Sequence, residues 1–385
     1  MERKRLLFID YSKALAIIFV LFDHLGVVLF KEYILFAMPL FFIVSGYTFN
    51  LKNASFSGYT KARFKRLMIP FWGFMILDIP LEIARAYFYR YGTYKVAFPA
   101  LINTIYGSGA KVPDLFGWGK IIKGYVPCEL FLSRIHINTV LPTNCHLWFL
   151  PTMFCASILF FAAIKYLRKN NFALIVVSVI LVFISALESN ENMFQLPYGF
   201  GRGCICAAFM IFGYKLKEIA IFEKCGTPVK MSIFIICSVV TLIFIKVLRI
   251  TGDGMIDSYY GSFGVWSAYI TFAGGIFAAV AVLMLFNMLE RIEIGAVGNV
   301  LSNIGQNTMG IFLCHFFVYF VLETVYFTIT GKNASPDEYW MAVLPVSATW
   351  FKVVEAAVCV CVVLFIQRIR QKQETGFAKR IDNRI

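Results

Sequence analysis

Long apolar runs separated by short polar connections dominate the chain. Each run is close to 20 residues long, the length that an α-helix needs to cross the roughly 30 Å hydrocarbon core of a bilayer. Because few charges interrupt these runs, the pattern predicts an all-α, polytopic integral membrane protein with about ten transmembrane helices. The predicted spans are residues 6–30, 33–51, 67–89, 146–166, 172–187, 197–219, 231–249, 264–289, 300–329 and 341–366.

The composition agrees with this pattern. Of the 385 residues, 59% are hydrophobic and 15% are charged, whereas a soluble domain carries about 25% charged residues. We therefore predict a single membrane-embedded domain with its helical bundle at 6–366, an extracytoplasmic loop at 90–145 and a basic cytoplasmic tail at 367–385. The basic start of the chain resembles a signal peptide, but charged residues follow within the apolar run, which predicts a retained first span.

Lysine and arginine cluster on alternate connections between the predicted spans. Residues 61–66 and 165–169 are rich in them, while the short connections on the other side hold few. By the positive-inside rule, this asymmetry predicts a multi-pass protein of the cell inner (plasma) membrane with both termini in the cytoplasm. The net charge of +14 then reflects contact with anionic membrane lipids, and nucleic acid is not an expected partner.

Ten cysteines are scattered along the chain. No CxxC pair has the spacing of a metal site, so no metal is expected, and most of these side chains fit the role of small buried hydrophobes. Cys128 and Cys145 differ because both lie in the 90–145 loop. On the oxidising side of the membrane they could form a disulfide.

Ionisable residues line up along the first predicted span. Lys13 and His24 are eleven positions apart, so both project from one helix face about 16 Å from each other. Such residues cost about 2.5–3.5 kcal/mol inside a bilayer and usually face a bundle interior or a watery cavity. This indicates a functional site in which His24 acts as a general base, oriented by Asp23 or another carboxylate. Alternatively, His24 only hydrogen-bonds another helix, and Asp10 only pairs with Lys13.

A second basic group precedes the third predicted span. Arg63 and Arg66 lie at i and i+3, with Lys65 between them, in a cytoplasmic segment. Guanidinium groups bind phosphate through two parallel hydrogen bonds, so these residues could hold a nucleotide-type phosphate. The alternative is anchoring to lipid by the positive-inside rule. Ser45 and Gly46 are expected to place a polar, flexible break in the otherwise apolar second span, where the glycine allows close backbone approach.

Five motifs, in chain order, resemble those of the membrane acyltransferase 3 family. They are Lys13 and His24 at Arg/Lys-x10-His spacing with Asp10 before them, PLFFIVSGY with Ser45, the pair Arg63 and Arg66, HLWFLP starting at His146, and IGQNTMGIFLCH ending at His315. The resemblance covers residues 6–366, and ten spans match the family architecture. Lys13 departs from the arginine of many members, which keeps the charge but loses the bidentate fork.

The resemblance implies transfer of an acyl group, commonly acetyl from acetyl-CoA, to a hydroxyl of an extracytoplasmic sugar, glycan or glycolipid. It implies that His24 is catalytic with Lys13 beside the donor, and that Arg63 and Arg66 hold the CoA phosphates. His24 could deprotonate the hydroxyl or accept the acyl group itself. The competing class is a transporter or flippase of a lipid-linked sugar, but the sequence shows no internal repeat of the kind such folds carry.

Further polar residues could serve the acceptor or support the site. His315 in the ninth span could contact His24 or only hydrogen-bond a neighbour. His146 and Trp148 mark the outer end of the fourth span, where interfacial anchoring also explains them. Arg202 has no acid nearby in sequence and could reach a glycan or a lipid headgroup. The proposed oxyanion donors are Ser45, Asn307 and Thr308.

Overall fold

The computed structural model describes residues 6–25, 27, 34–51, 55–88, 125–130, 133–138, 145–188, 196–246, 265–290, 295–330 and 349–382. Helices form nearly all of this part of the chain. They are α1 (Leu7–His24), α2 (Ala37–Thr48), α3 (Phe56–Phe88), α4 (Phe149–Leu167), α5 (Asn171–Glu188), α6 (Phe200–Ile219), α7 (Ile221–Lys224), α8 (Thr227–Lys246), α9 (Trp266–Leu289), α10 (Gly295–Gln306), α11 (Thr308–Thr330) and α12 (Thr349–Asp382).

One β-hairpin interrupts the helical pattern within the described residues. Strands β1 (Tyr125–Leu130) and β2 (Ser133–Asn138) pair antiparallel, with Tyr125 opposite Asn138. The hairpin lies in the segment predicted as the 90–145 loop, most of which is outside the described residues. The disulfide considered between Cys128 and Cys145 also concerns side chains outside the described part.

In the part of the chain that the structure describes, five helices are long and apolar enough to cross a membrane: α4, α8, α9, α11 and the Trp350–Gln371 part of α12. Helix α1 also lies in the bundle, but it carries three charged residues: Asp10, Lys13 and Asp23. The all-α membrane class is therefore confirmed, while the number of about ten spans stays a prediction.

Large apolar side chains cover the outside of the bundle. On α8 the side chains of Ile236 and Val239 are 59% and 51% exposed, and α5 presents Ile175 and Ile180 in the same way. A continuous exposed apolar surface of this kind is stable against lipid and unstable in water. The outward faces of α5 and α8 are therefore lipid-facing.

Several helix boundaries differ from the predicted spans. The span predicted at 300–329 is two helices, α10 and α11, which meet at Asn307; its side-chain amide donates a 2.8 Å hydrogen bond to the carbonyl of Asn303 and closes α10. Helix α3 begins at Phe56, before the predicted start at 67, and α12 continues to Asp382, through most of the predicted tail. Both extensions are polar but rich in helix-forming residues, which a search for apolar runs overlooks.

Helix α1 occupies the centre of the bundle and contacts α2, α9, α10, α11 and α12. Glu290, just after α9, caps the first turn of α1. The backbone N–H groups of Leu7 and Phe8 lie 3.3 and 3.4 Å from the two Glu290 carboxylate oxygens. A carboxylate at a helix N-terminus also interacts favourably with the helix dipole. This contact fixes the end of α1 that carries Asp10 and Lys13.

Helices α2 and α6 pack closely through two glycines. A Cβ added at Gly46 would collide with the carbonyl of Met210, and one at Gly213 would collide with the carbonyl of Ile43. Small residues permit this approach of two helix backbones within a membrane. Helix α2 runs unbroken from Ala37 to Thr48, so the predicted flexible break at Ser45 and Gly46 is wrong, whereas the close backbone approach predicted at Gly46 is observed.

Candidate active site

A cavity of about 1040 Å3 runs into the bundle beside α1. Its exposed lining residues, among them Asn50, Lys217 and Gln306, lie at the end of the bundle where α1 begins and where α2, α6 and α10 end. Its deeper lining, including Val20 and Phe149, is buried. The cavity therefore opens at one end of the bundle and is large enough for a sizeable organic ligand.

The mouth of the cavity is positively charged. Its lining contains four cationic side chains and two carboxylates, an excess of two positive charges: Lys13, Arg63, Arg66 and Lys217 against Asp10 and Glu223. Concentrated positive charge in a cleft attracts anions. The cavity thus has the electrostatics of a site for an anionic ligand, such as one that carries phosphates.

Hydrogen bonds and ring contacts fix several of these charged groups. The ammonium of Lys13 lies 3.2 Å from the Asp10 carboxylate, so the pairing considered from the sequence is present. The Arg63 guanidinium donates a 3.0 Å hydrogen bond to the Tyr59 hydroxyl, and its carbon lies 5.1 Å from the centre of that ring. Lys217 donates to the backbone carbonyl of Phe49 over 2.9 Å. Three of the four cations, Lys13, Arg63 and Lys217, are thus held in place around the cavity.

One face of α1 leads from the mouth toward His24. Asp10, Lys13, Ile17 and Val20 all line the cavity, and their spacing of three and four residues keeps them on a single helix face. His24 is the next residue of that series, one turn beyond Val20. It is half-buried and does not itself line the cavity.

Two phenylalanines close the deep end of the cavity, near His24. Phe149 and Phe312 both line the cavity, and their ring centres are 5.2 Å apart. Phe312 in turn packs against the ring of His315, with the centres 5.6 Å apart. Aromatic side chains therefore separate the cavity from the histidines beyond it.

His24 and His315 form a direct pair at the end of α1. The His24 Nδ1 atom lies 2.9 Å from the His315 Nε2 atom. Their ring centres are 5.0 Å apart and their planes differ by 13°, as expected for two rings that meet edge to edge through these nitrogens. Of the two readings of His315 considered from the sequence, the contact with His24 is the one observed.

Only some of the remaining predicted residues line the cavity. Ser45 and Thr308 line the cavity, whereas Lys65 is exposed and does not line it, and the Asn307 amide is used at the end of α10. Asp23 is half-buried next to His24 in α1, and the imidazole of His315 lies within hydrogen-bonding distance of the His24 ring.

Trp148 and Arg202 lie together at the opposite end of the bundle from the cavity mouth. The Arg202 guanidinium carbon is 5.3 Å from the centre of the Trp148 ring, within the range of a cation–π contact. Trp148 is buried, with 7% of its surface exposed, so it is not an open stacking platform for a sugar. The side chain of His146 lies outside the described part.

Sequence reasoning gave no role to several polar residues of the cavity, among them Tyr47, Lys217 and Glu223. The Tyr47 hydroxyl donates a 2.8 Å hydrogen bond to Glu223, and both line the cavity. Lys217 could have been noticed as a basic residue at the same end of the bundle as Arg63. Nothing in the sequence marks Glu223, because the short helix α7 brings it to the cavity.

These observations define a helical membrane protein whose cationic, ligand-sized cavity leads toward a histidine pair. Residues 6–366 match the model of the acyltransferase 3 family, described as an acyltransferase domain. The chain belongs to this family and is a membrane acyltransferase. No curated protein and no solved structure matches the chain.

Proposed function

We propose that this acyltransferase moves an acetyl group from cytoplasmic acetyl-CoA to a hydroxyl of an extracytoplasmic sugar, glycan or glycolipid. One observation carries the proposal: a single cavity is lined by Lys13, Arg63 and Arg66 and extends along α1 to within one turn of His24. In this proposal the protein resides in the inner (plasma) membrane with both termini in the cytoplasm.

The shape of the cavity suits acyl-CoA. The phosphates of CoA lie far from its thioester, at the opposite end of a long and flexible pantetheine arm. The cations at the mouth would bind the phosphates, with Arg63 and Arg66 suited to bidentate contact. The arm would follow the face of α1, and Lys13 and His24 are about 16 Å apart along that helix.

His24 would act as the general base in this reaction. Its imidazole takes the proton from the acceptor hydroxyl as the hydroxyl oxygen attacks the thioester carbonyl. The new C–O bond forms, the C–S bond breaks, and the proton passes from His24 to the departing CoA thiolate. Ser45 and Thr308, both at the cavity, are available as hydrogen-bond donors to the acyl oxygen.

The distribution of charge supports the proposed orientation of the site. Acetyl-CoA is made in the cytoplasm, and the cationic mouth lies at the end of the bundle that the positive-inside rule places there. His24 is at the other end of α1, nearer the side on which a surface glycan lies. Transfer across the membrane then requires that the thioester pass the rings of Phe149 and Phe312 to reach the end of α1.

The test uses purified protein in lipid nanodiscs with radiolabelled acetyl-CoA and an extract of surface glycan. The wild type should bind acetyl-CoA and acetylate the extract. His24→Ala should still bind acetyl-CoA but lose transfer, with the folded state checked by gel filtration and thermal unfolding. Normal transfer by His24→Ala contradicts the role of His24. Absence of acetyl-CoA binding by the wild type, together with movement of a lipid-linked sugar, contradicts the acyltransfer proposal in favour of transport.

A further inference from the structure

The protonation of His315 is determined by its backbone contact. His315 is fully buried, with 0% of its surface exposed, and its Nδ1 atom lies 2.6 Å from the carbonyl oxygen of Phe312. A carbonyl oxygen can only accept a hydrogen bond, so Nδ1 of His315 must carry a proton. Burial among helices in an apolar setting disfavours a second proton, because a charged imidazolium would lose its hydration.

The protonation of His24 then follows. A neutral His315 that carries its proton on Nδ1 has a lone pair on Nε2. The atom that faces this lone pair at 2.9 Å is Nδ1 of His24. Two lone pairs cannot form a hydrogen bond, so Nδ1 of His24 must donate; in a neutral His24 this leaves Nε2 without a proton.

We propose that His315 is a positioning residue that holds His24 as the Nδ1-protonated tautomer, so that its Nε2 atom is the one that takes the proton from the acceptor hydroxyl. This inference rests on the proposed function of His24. His24 donates a hydrogen bond to His315, and His315 donates one to the carbonyl of Phe312. It resembles the orientation of a catalytic histidine by a carboxylate, with a second imidazole and a backbone carbonyl in the place of the acid.

The surroundings of the pair keep this geometry fixed. The ring of Phe316 lies 5.3 Å from the ring of His24 and 4.3 Å from that of His315, measured between centres. The Tyr319 hydroxyl donates to the carbonyl of Leu21 over 3.3 Å, which joins α11 to the last turn of α1. The same Nδ1–H bond would persist when His24 becomes an imidazolium, so His315 also stabilises the charge that forms during the reaction.

The first test observes the tautomer directly and needs no activity. Nitrogen-15 NMR of the imidazoles in nanodisc-embedded protein should show one histidine with a protonated Nδ1 and an unprotonated Nε2 whose signal disappears in His24→Gln. In His315→Phe, which keeps a ring but offers no acceptor, His24 should become a mixture of tautomers. A wild-type His24 protonated at Nε2, or a doubly protonated His315, would overturn the proposal.

The second test measures transfer. His315→Phe should lower kcat by about 10²–10⁴-fold, the range for a misdirected or lost general base, while the KM for acetyl-CoA changes less than about threefold. His315→Gln places an amide oxygen where Nε2 lies and should recover at least about a tenth of the wild-type kcat. Cys314→Ala, next to His315 but outside the hydrogen-bonded pair, is the matched control.

The two tests separate this inference from the proposed function. If the tautomer is as stated but the wild type transfers no acetyl group, the function is wrong and the orientation of His24 stands. If transfer occurs and depends on His24 but is equal in His315→Phe and His315→Gln, the positioning role of His315 is wrong and the acyltransferase proposal stands.

Discussion

Gly305 of α10 lies directly against the backbone carbonyl of Asp10 in α1, so closely that any Cβ at position 305 would collide with it. This contact brings the end of α10, with Gln306, to the same stretch of α1 that carries Lys13. The wall of the cavity therefore depends on a residue that has no side chain.

Gly305→Ala should consequently be disruptive. Forcing a methyl group into this contact should destabilise the protein by about 1–3 kcal/mol and weaken acetyl-CoA binding, because α10 must move away from α1. Thermal unfolding in detergent and acetyl-CoA titration measure the two effects. Gly73→Ala is the control, since a Cβ at Gly73 meets nothing within 4 Å. Equal stability of the two variants would contradict this account of α10 packing.

Arg66 and Lys65 are adjacent in α3 but differ in position. Arg66 lines the cavity and Lys65 does not. A lost hydrogen bond to a charged group costs about 1.5–3 kcal/mol, so Arg66→Ala should raise the Kd for acetyl-CoA about 10–100-fold. Lys65→Ala removes the same charge and should change the Kd less than about threefold. Equal effects would show that only the overall charge of the membrane face matters.

Lys13 should tolerate arginine but not a neutral side chain. Its ammonium pairs with Asp10 at 3.2 Å within the cavity, and Lys13→Arg keeps both the charge and the capacity to pair. Lys13→Arg should retain at least about a tenth of wild-type transfer, while Lys13→Met should lose about 10²-fold or more. Steady-state transfer assays over a range of acetyl-CoA concentrations test this. Full activity of Lys13→Met would show that Lys13 is not required for transfer.

A buried lysine supports the wall that carries Glu223. Lys230 is 1% exposed, and its ammonium donates hydrogen bonds to the carbonyl of Phe222 and to the Asn287 side chain over 2.5 and 2.6 Å. Lys230→Met takes this donor from two buried acceptors, each at a cost of about 1–3 kcal/mol. Its thermal midpoint should fall well below that of Lys224→Met, which alters an exposed lysine of α7. Equal midpoints would contradict a structural role for Lys230.

The sequence determined the class of this protein and much of its chemistry. Apolar runs of helical length predicted an all-α membrane protein because a bilayer requires every spanning backbone group to be paired within its own helix. The spacing of Asp10, Lys13 and His24 placed them on one face because the helical repeat is fixed. The motifs and their order were sufficient to indicate the family, and the match of residues 6–366 to the family model confirms it.

Only the tertiary structure could decide which residues meet across helices. The partner of His24 is 291 positions away in the chain, and Lys217 and Glu223 reach the cavity from a different part of the sequence than Arg63. The periodicity of the sequence cannot predict such contacts, because they depend on how the helices approach one another. That approach is set by glycines such as Gly46 and Gly305, whose missing side chains let two backbones touch. The alignment of Asp10, Lys13 and His24 on one face of α1 was therefore visible in the sequence. The position of His315 beside His24 was determined by helix packing.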